Sequence, residues 1–259
     1  MRRIIAVLTS CVLLWSCDSA TAPDFPSGDV TPFQALARYS LWWQQVEQCA
    51  GRTGNFASVH WFETDGRLLV VGGKTYDGYW WEDGNRIALV DRLRGPIVRH
   101  EMLHAILRRG DHPLDMFAGR CEGVVAYDAP ESYGVDPAAA AQAKTMAAES
   151  TLVVTIGPTP AIPHLSQYEG CFSLTVTATN RTDQPIWVTL PRNYTGSFWF
   201  KSGGYGGSPM WTSQTRVFFY PGQQRRVVLD AWVDTAGTYQ VRAGYAGATS
   251  SWTTIGIVP

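Results

Sequence analysis

The chain is 259 residues long, 45% hydrophobic and 12% aromatic, with a formal net charge of -1 from 21 basic and 22 acidic residues. The apolar fraction excludes general disorder, and the length allows one large core or two modest ones. A near-neutral balance supplies none of the basic surface that a phosphate backbone requires, so nucleic acid is excluded as an expected partner.

Met1-Arg2-Arg3 precedes an apolar run from Ile4 to Trp15, interrupted by Thr9 and Ser10 and too short for a permanent membrane span. Leu14-Trp15-Ser16-Cys17 resembles the lipobox of bacterial lipoproteins. That resemblance implies a signal peptide over 1–17 and acylation of Cys17. The protein is then expected to be exported and lipid-anchored to the cell envelope, on its periplasmic or cell-surface side. Residues 18–30 mix Pro, Ser, Ala and Asp without apolar periodicity and are expected to form a flexible tether.

Thr31-Pro32 offers an N-cap followed by Pro at a first helical position, and Phe33, Leu36, Tyr39, Trp43 and Val46 recur at helical spacing up to Cys49. A first helix is expected there. From Ser58 the pattern changes to short strands: 58–64, 67–71, 76–81 and 86–90, punctuated by Asp65-Gly66, Gly72-Gly73 and Asp83-Gly84-Asn85. Gly95-Pro96 opens a second helix running to about Arg109, with Gly110 as its stop. The Ala-rich stretch 137–148 could form one further helix.

Beyond residue 150 the period becomes two, over 152–156, 172–179, 186–190, 197–200, 216–220, 225–233, 238–245 and 252–258. About eight strands so spaced fit an antiparallel sandwich, and Asp234-Thr235-Ala236-Gly237-Thr238-Tyr239-Gln240-Val241 resembles the late strands of immunoglobulin-like domains. A division near 150 follows. In an oxidising compartment Cys49, Cys121 and Cys171 permit one bridge. Cys49 with Cys121 is favoured because the two flank the second helix, which leaves Cys171 free and buried.

The second helix carries His100-Glu101-Met102-Leu103-His104. Two His residues four apart share one helix face, about 6 Å apart at their base, so both imidazoles can reach a single ion. Glu101 lies one residue on, rotated from direct ligation but near the ion's open side, where a carboxylate can take a proton. Ile97, Val98, Met102, Leu103, Ala105, Ile106 and Leu107 make the remaining faces apolar, so the polar trio needs a compensating partner inside the protein.

This segment resembles the zincin superfamily of metallopeptidases, over the helix and the strands before it. The resemblance implies a zinc ion held by His100, His104 and a later residue, with Glu101 as the catalytic general base and a peptide or protein as substrate. Metzincins carry a Gly and a third His where this chain has Leu107 and Gly110, which excludes that subclass. His112 is favoured as third ligand because it follows the Gly110 stop, where the chain must reverse. Glu122, Asp111 and Asp115 are the alternatives, and Tyr127 and Arg99 are conceivable oxyanion donors.

The expected fold class is therefore α+β, with a small zincin-like domain of helices and twisted sheet over 31–150. An all-β immunoglobulin-like sandwich follows over 151–259. A reading from another class is a surface binding lipoprotein whose sandwich binds a ligand. There the metal site is structural or inactive, and Trp199, Tyr205 and Trp211 around Gly203-Gly204-Tyr205-Gly206-Gly207 are the exposed candidates.

Overall fold

The computed structural model describes residues 23–26, 29–160, 162–191, 194–206 and 209–259. The expected signal peptide and Cys17 lie outside the described residues. The architecture is mixed α and β with strands predominating.

Strand β1 (Val30–Pro32) leads into helix α1 (Ala37–Ala50). Strands β2 (His60–Thr64), β3 (Leu69–Val71), β4 (Lys74–Tyr76), β5 (Gly78–Trp81) and β6 (Arg86–Leu89) follow, and then helix α2 (Gly95–Leu107). A sheet of order β1-β2-β6-β5 pairs β2 with β6 in parallel and its other neighbours antiparallel, which leaves β5 at the edge beside α2. A separate ribbon joins β3 to β4.

Two local expectations differ from this arrangement. Thr31 and Pro32 pair with Glu63 and Phe62 as sheet rather than capping a helix, and α1 begins at Ala37. Burying Val30 against Trp81 and Ala88 accounts for this, because it draws the end of the expected tether into the sheet. Pro23–Pro26 also packs: Phe25 lies 4.7 Å from Phe62 and 4.9 Å from Trp81 between ring centroids.

After α2 a π-helical turn spans Asp115–Arg120, and a short helix α3 covers Pro137–Gln142. The Ala-rich stretch does not continue as one helix. It breaks into strand β7 (Lys144–Met146) and one turn, α4 (Ala148–Thr151), because β7 pairs in parallel with β10 (Ile186–Thr189). Tertiary pairing overrides a weak local propensity here.

The remaining strands are β8 (Leu152–Thr159), β9 (Cys171–Asn180), β11 (Tyr194–Phe200), β12 (Gly204–Gly206), β13 (Met210–Trp211), β14 (Arg216–Phe219), β15 (Gln224–Val233), β16 (Gly237–Tyr245), β17 (Ala248–Thr249) and β18 (Thr253–Ile257). A sheet of order β12-β15-β9-β8 faces strands β13-β11-β16 with β17 and β18, and a β14-β10-β7 sheet completes the enclosure. One apolar core lies between them, with Leu174, Val176, Val188, Phe219, Val241 and Ala243 nearly inaccessible. In β8, Leu152, Val154 and Ile156 point inward while Val153 and Thr155 face out, as expected for a strand covered on one face. The glycine-rich loop is partly strand, since Tyr205 pairs with Trp232.

A second core sits under α2, where Trp42 and Val46 of α1 meet Val98, Met102 and Leu103. It takes in Cys171 from β9, so residues on both sides of position 150 contribute to it. Cys49 and Cys121 are bridged across 72 residues, and Cys171 is a buried free thiol. A loop of that length implies roughly 4 kcal/mol of stabilisation through restriction of the unfolded chain. Cys49→Ser with Cys121→Ser is expected to lose about that much in urea unfolding, and a loss below about 1 kcal/mol would contradict the assignment. Among the described residues no helix is long and apolar enough to cross a membrane.

Candidate metal centre

Helix α2 runs with Pro96 in its first turn and ends at Arg108, which takes the left-handed conformation (φ 56°) and whose N–H returns to His104 O. The expected stop at Gly110 falls two residues late. A left-handed turn on a side chain that carries Cβ costs about 1–2 kcal/mol. This turn folds the backbone back over the end of α2, so that Arg109 O lies 2.7 Å from His104 Nδ1. The same reversal carries His112 over the helix face.

His100 Nε2, His104 Nε2 and His112 Nε2 converge at 3.0, 3.1 and 3.2 Å from one another. The other ring nitrogens of the first two His residues are committed. His100 Nδ1–H donates to Ala126 O at 2.6 Å, and His104 Nδ1–H donates to Arg109 O. A carbonyl can only accept, so both Nε2 atoms carry lone pairs aimed at a common point. Loss of solvation pushes His100 down to about 3 and His104 to about 4, and it also lowers His112. At neutral pH the cluster therefore presents uncharged imidazoles.

Facing lone pairs repel unless a cation lies between them. Tetrahedral zinc with nitrogen ligands at 2.0–2.1 Å requires ligand–ligand separations of about 3.3 Å, close to the spacing here. Backbone carbonyls that hold the distal ring nitrogens are the usual means of orienting such ligands. The donor set therefore fits a divalent ion of zinc type. His104 is buried, His100 is half-buried and His112 is exposed, which leaves the cluster open on the His112 side.

Beneath the three rings lies Phe117 from the π-helical turn, 1% exposed and 4.8 to 4.9 Å from each imidazole centroid. Tyr127 stacks on His112 at 5.4 Å, and Trp80 lies parallel to His104 at 6.3 Å. Glu101 is 4% exposed and accepts a hydrogen bond from the Trp80 backbone N–H, while burial pushes its carboxyl up to about 8. Gly78 of β5 packs on it so closely that an added Cβ would sit 2.9 Å from Glu101 Cγ. A cleft therefore runs between Tyr76, Tyr79 and Trp80 on one side and the three imidazoles with Gly110 on the other.

The other residues considered from sequence lie elsewhere. Glu122 pairs with Arg225, and Asp111 is held by Arg109. Among the described residues, the only group of three or more potential ligands is His100, His104 and His112, which does not include Asp115. Arg99 is fully buried and directed away from the cleft onto Asp230. Phe117 and the two carbonyls escaped the sequence reading: a lone Phe in Pro113–Cys121 carries no periodic signal, and backbone acceptors carry none at all.

No family model matches the chain, and no curated protein matches it. Partial likenesses exist among solved structures. An alkylpurine DNA glycosylase of Pseudomonas fluorescens is 14% identical, with a TM-score of 0.27 over 42% of this chain and 31% of its own. The Escherichia coli alpha-2-macroglobulin is 15% identical, with a TM-score of 0.27 over 42% of this chain and 16% of its own. A FixG-related protein of Vibrio parahaemolyticus is 12% identical, with a TM-score of 0.24 over 41% of this chain and 96% of its own. The chain thus spans less than a third of the length of the first two. Likenesses this slight carry no argument about the site.

Proposed function

We propose that the chain is an exported, lipid-anchored zinc hydrolase acting on peptides. In this reading a zincin-like unit over 31–150 is followed by an immunoglobulin-like sandwich over 151–259. The observation that carries it is the convergence of three uncharged imidazole nitrogens in an open cleft beside a buried carboxylate. His100, His104 and His112 are the residues that would hold the ion. Zinc held there supplies Lewis acidity toward water and toward a carbonyl.

Glu101 supplies the proton acceptor. A divalent ion held by the imidazoles would favour the ionised form of this carboxyl over the neutral form that burial favours, leaving it able to take and return a proton. The Trp80 N–H fixes its direction. Edge strand β5 and Tyr79 form the wall along which a substrate lies.

Hydrolysis of casein or a mixed peptide library by the purified chain tests this reading. Cleavage is expected to cease with 1,10-phenanthroline and to return on adding zinc. Zinc-loaded protein that cleaves nothing would instead favour a binding lipoprotein. That second reading has its own support: Trp199 and Trp252 are about 40% exposed, with the Arg242 guanidinium 5.3 and 5.1 Å from their rings, and Tyr205 is 62% exposed.

A further inference from the structure

The β3–β4 ribbon has an unusual outer face. Leu69 and Val71 are buried in the small core, as one face of a strand should be, yet Leu68 and Val70 on the other face are 63% and 55% exposed. Thr75 lies opposite Val70 across the ribbon, so the outer face carries two aliphatic side chains and a hydroxyl. Exposed Arg67 and Lys74 alternate onto the opposite face, Lys74 across from Val71. The solvated face of such a ribbon is ordinarily polar.

The first described residues, Pro23–Pro26, pack at the same place. Trp81 Nε1 donates to Pro23 O at 2.9 Å, Phe25 is wedged between Phe62 and Trp81, and the Arg86 guanidinium lies 4.4 Å from the Phe25 ring. Pro26 lies beside Leu68 and Val70, together with exposed Asp29 and Asp65, and a Cβ added to Gly72 in the ribbon's turn would be 3.8 Å from Pro23 Cβ. Five residues, 18–22, separate Pro23 from Cys17. Even fully extended, that length reaches about 20 Å.

We propose that the Leu68 and Val70 face docks on the bilayer that holds the Cys17 lipid, with the two aliphatic side chains entering the interface. The proposal rests on the lipid-anchor part of the function proposed above. A lipid at Cys17 would hold the ribbon within that reach of the membrane, where exposed aliphatic side chains partition into the interface. Tyr76, the last residue of β4, lines the metal cleft, so docking sets the cleft beside the membrane.

The test uses the full chain from an acylating bacterial host, reconstituted in vesicles of phosphatidylethanolamine and phosphatidylglycerol. Bimane is attached at Thr75→Cys or, as control, at Thr254→Cys on an exposed position of β18. Quenching by doxyl-labelled lipid is expected to be roughly threefold greater at Thr75 than at Thr254, and Leu68→Ser with Val70→Ser should erase the difference. Equal quenching in a chain whose mass shows the acyl group overturns the docking and leaves the anchor standing. Equal quenching with a dimeric mass does the same and assigns the face to a second copy. An unacylated chain that does not sediment with vesicles overturns both.

Discussion

Glu101→Gln is expected to lower kcat for peptide hydrolysis by roughly a thousandfold while leaving zinc content unchanged. Glutamine keeps the size of the side chain and can still accept the Trp80 N–H, so β5 and α2 keep their contact. It cannot take a proton. The metal-free chain provides a second readout that involves no catalysis. Burial raises the folded-state pKa of Glu101 from 4.5 to about 8, so its favourable contribution is fully present below about 4.5 and is lost as pH rises through about 8. Metal-free Glu101→Gln should therefore escape the alkaline loss of stability shown by the wild type. Full activity in Glu101→Gln would remove the carboxylate from the reaction.

Asp230→Ala is expected to cost about 3–5 kcal/mol in urea unfolding. Asp230 is 3% exposed, and both of its oxygens accept from Arg99 Nη1, at 2.9 and 3.0 Å. Trp42 Nε1 donates to it at 2.9 Å, and Ser173 Oγ lies at 3.3 Å. Removing the carboxylate strands a fully buried guanidinium, which accounts for the size of the effect. Arg99 precedes His100 and also donates to Val124 O at 2.7 Å, two residues before the carbonyl that orients His100. Weaker zinc binding should accompany the loss. Gly95 opens α2 against the same carboxylate, and any Cβ there would collide with Asp230 Oδ2. A change below about 1 kcal/mol would mean that the strand β15 does not support the metal helix.

The position of α2 was legible because its signals agree: Gly-Pro at the start, apolar residues on most faces, and two His residues one turn apart. The pairing of Cys49 with Cys121 and the alternation along β8, β9 and β15 were legible for similar reasons. His112 could be favoured only by its place after a reversal, and the reversal itself depends on a left-handed Arg108 that no residue preference announces. The Thr31-Pro32 signal was real chemistry that lost to burial of Val30. The Arg99–Asp230 pair spans 131 residues, and no local pattern connects its two ends.

Zinc content and affinity in the wild type and in His112→Ala test the central claim most directly. The wild type should hold about one zinc per chain with three imidazole nitrogens at 2.0–2.1 Å in X-ray absorption, and His112→Ala should bind more than about a hundredfold more weakly. A wild-type chain that takes up no zinc, or a His112→Ala chain that binds it undiminished, would contradict the account.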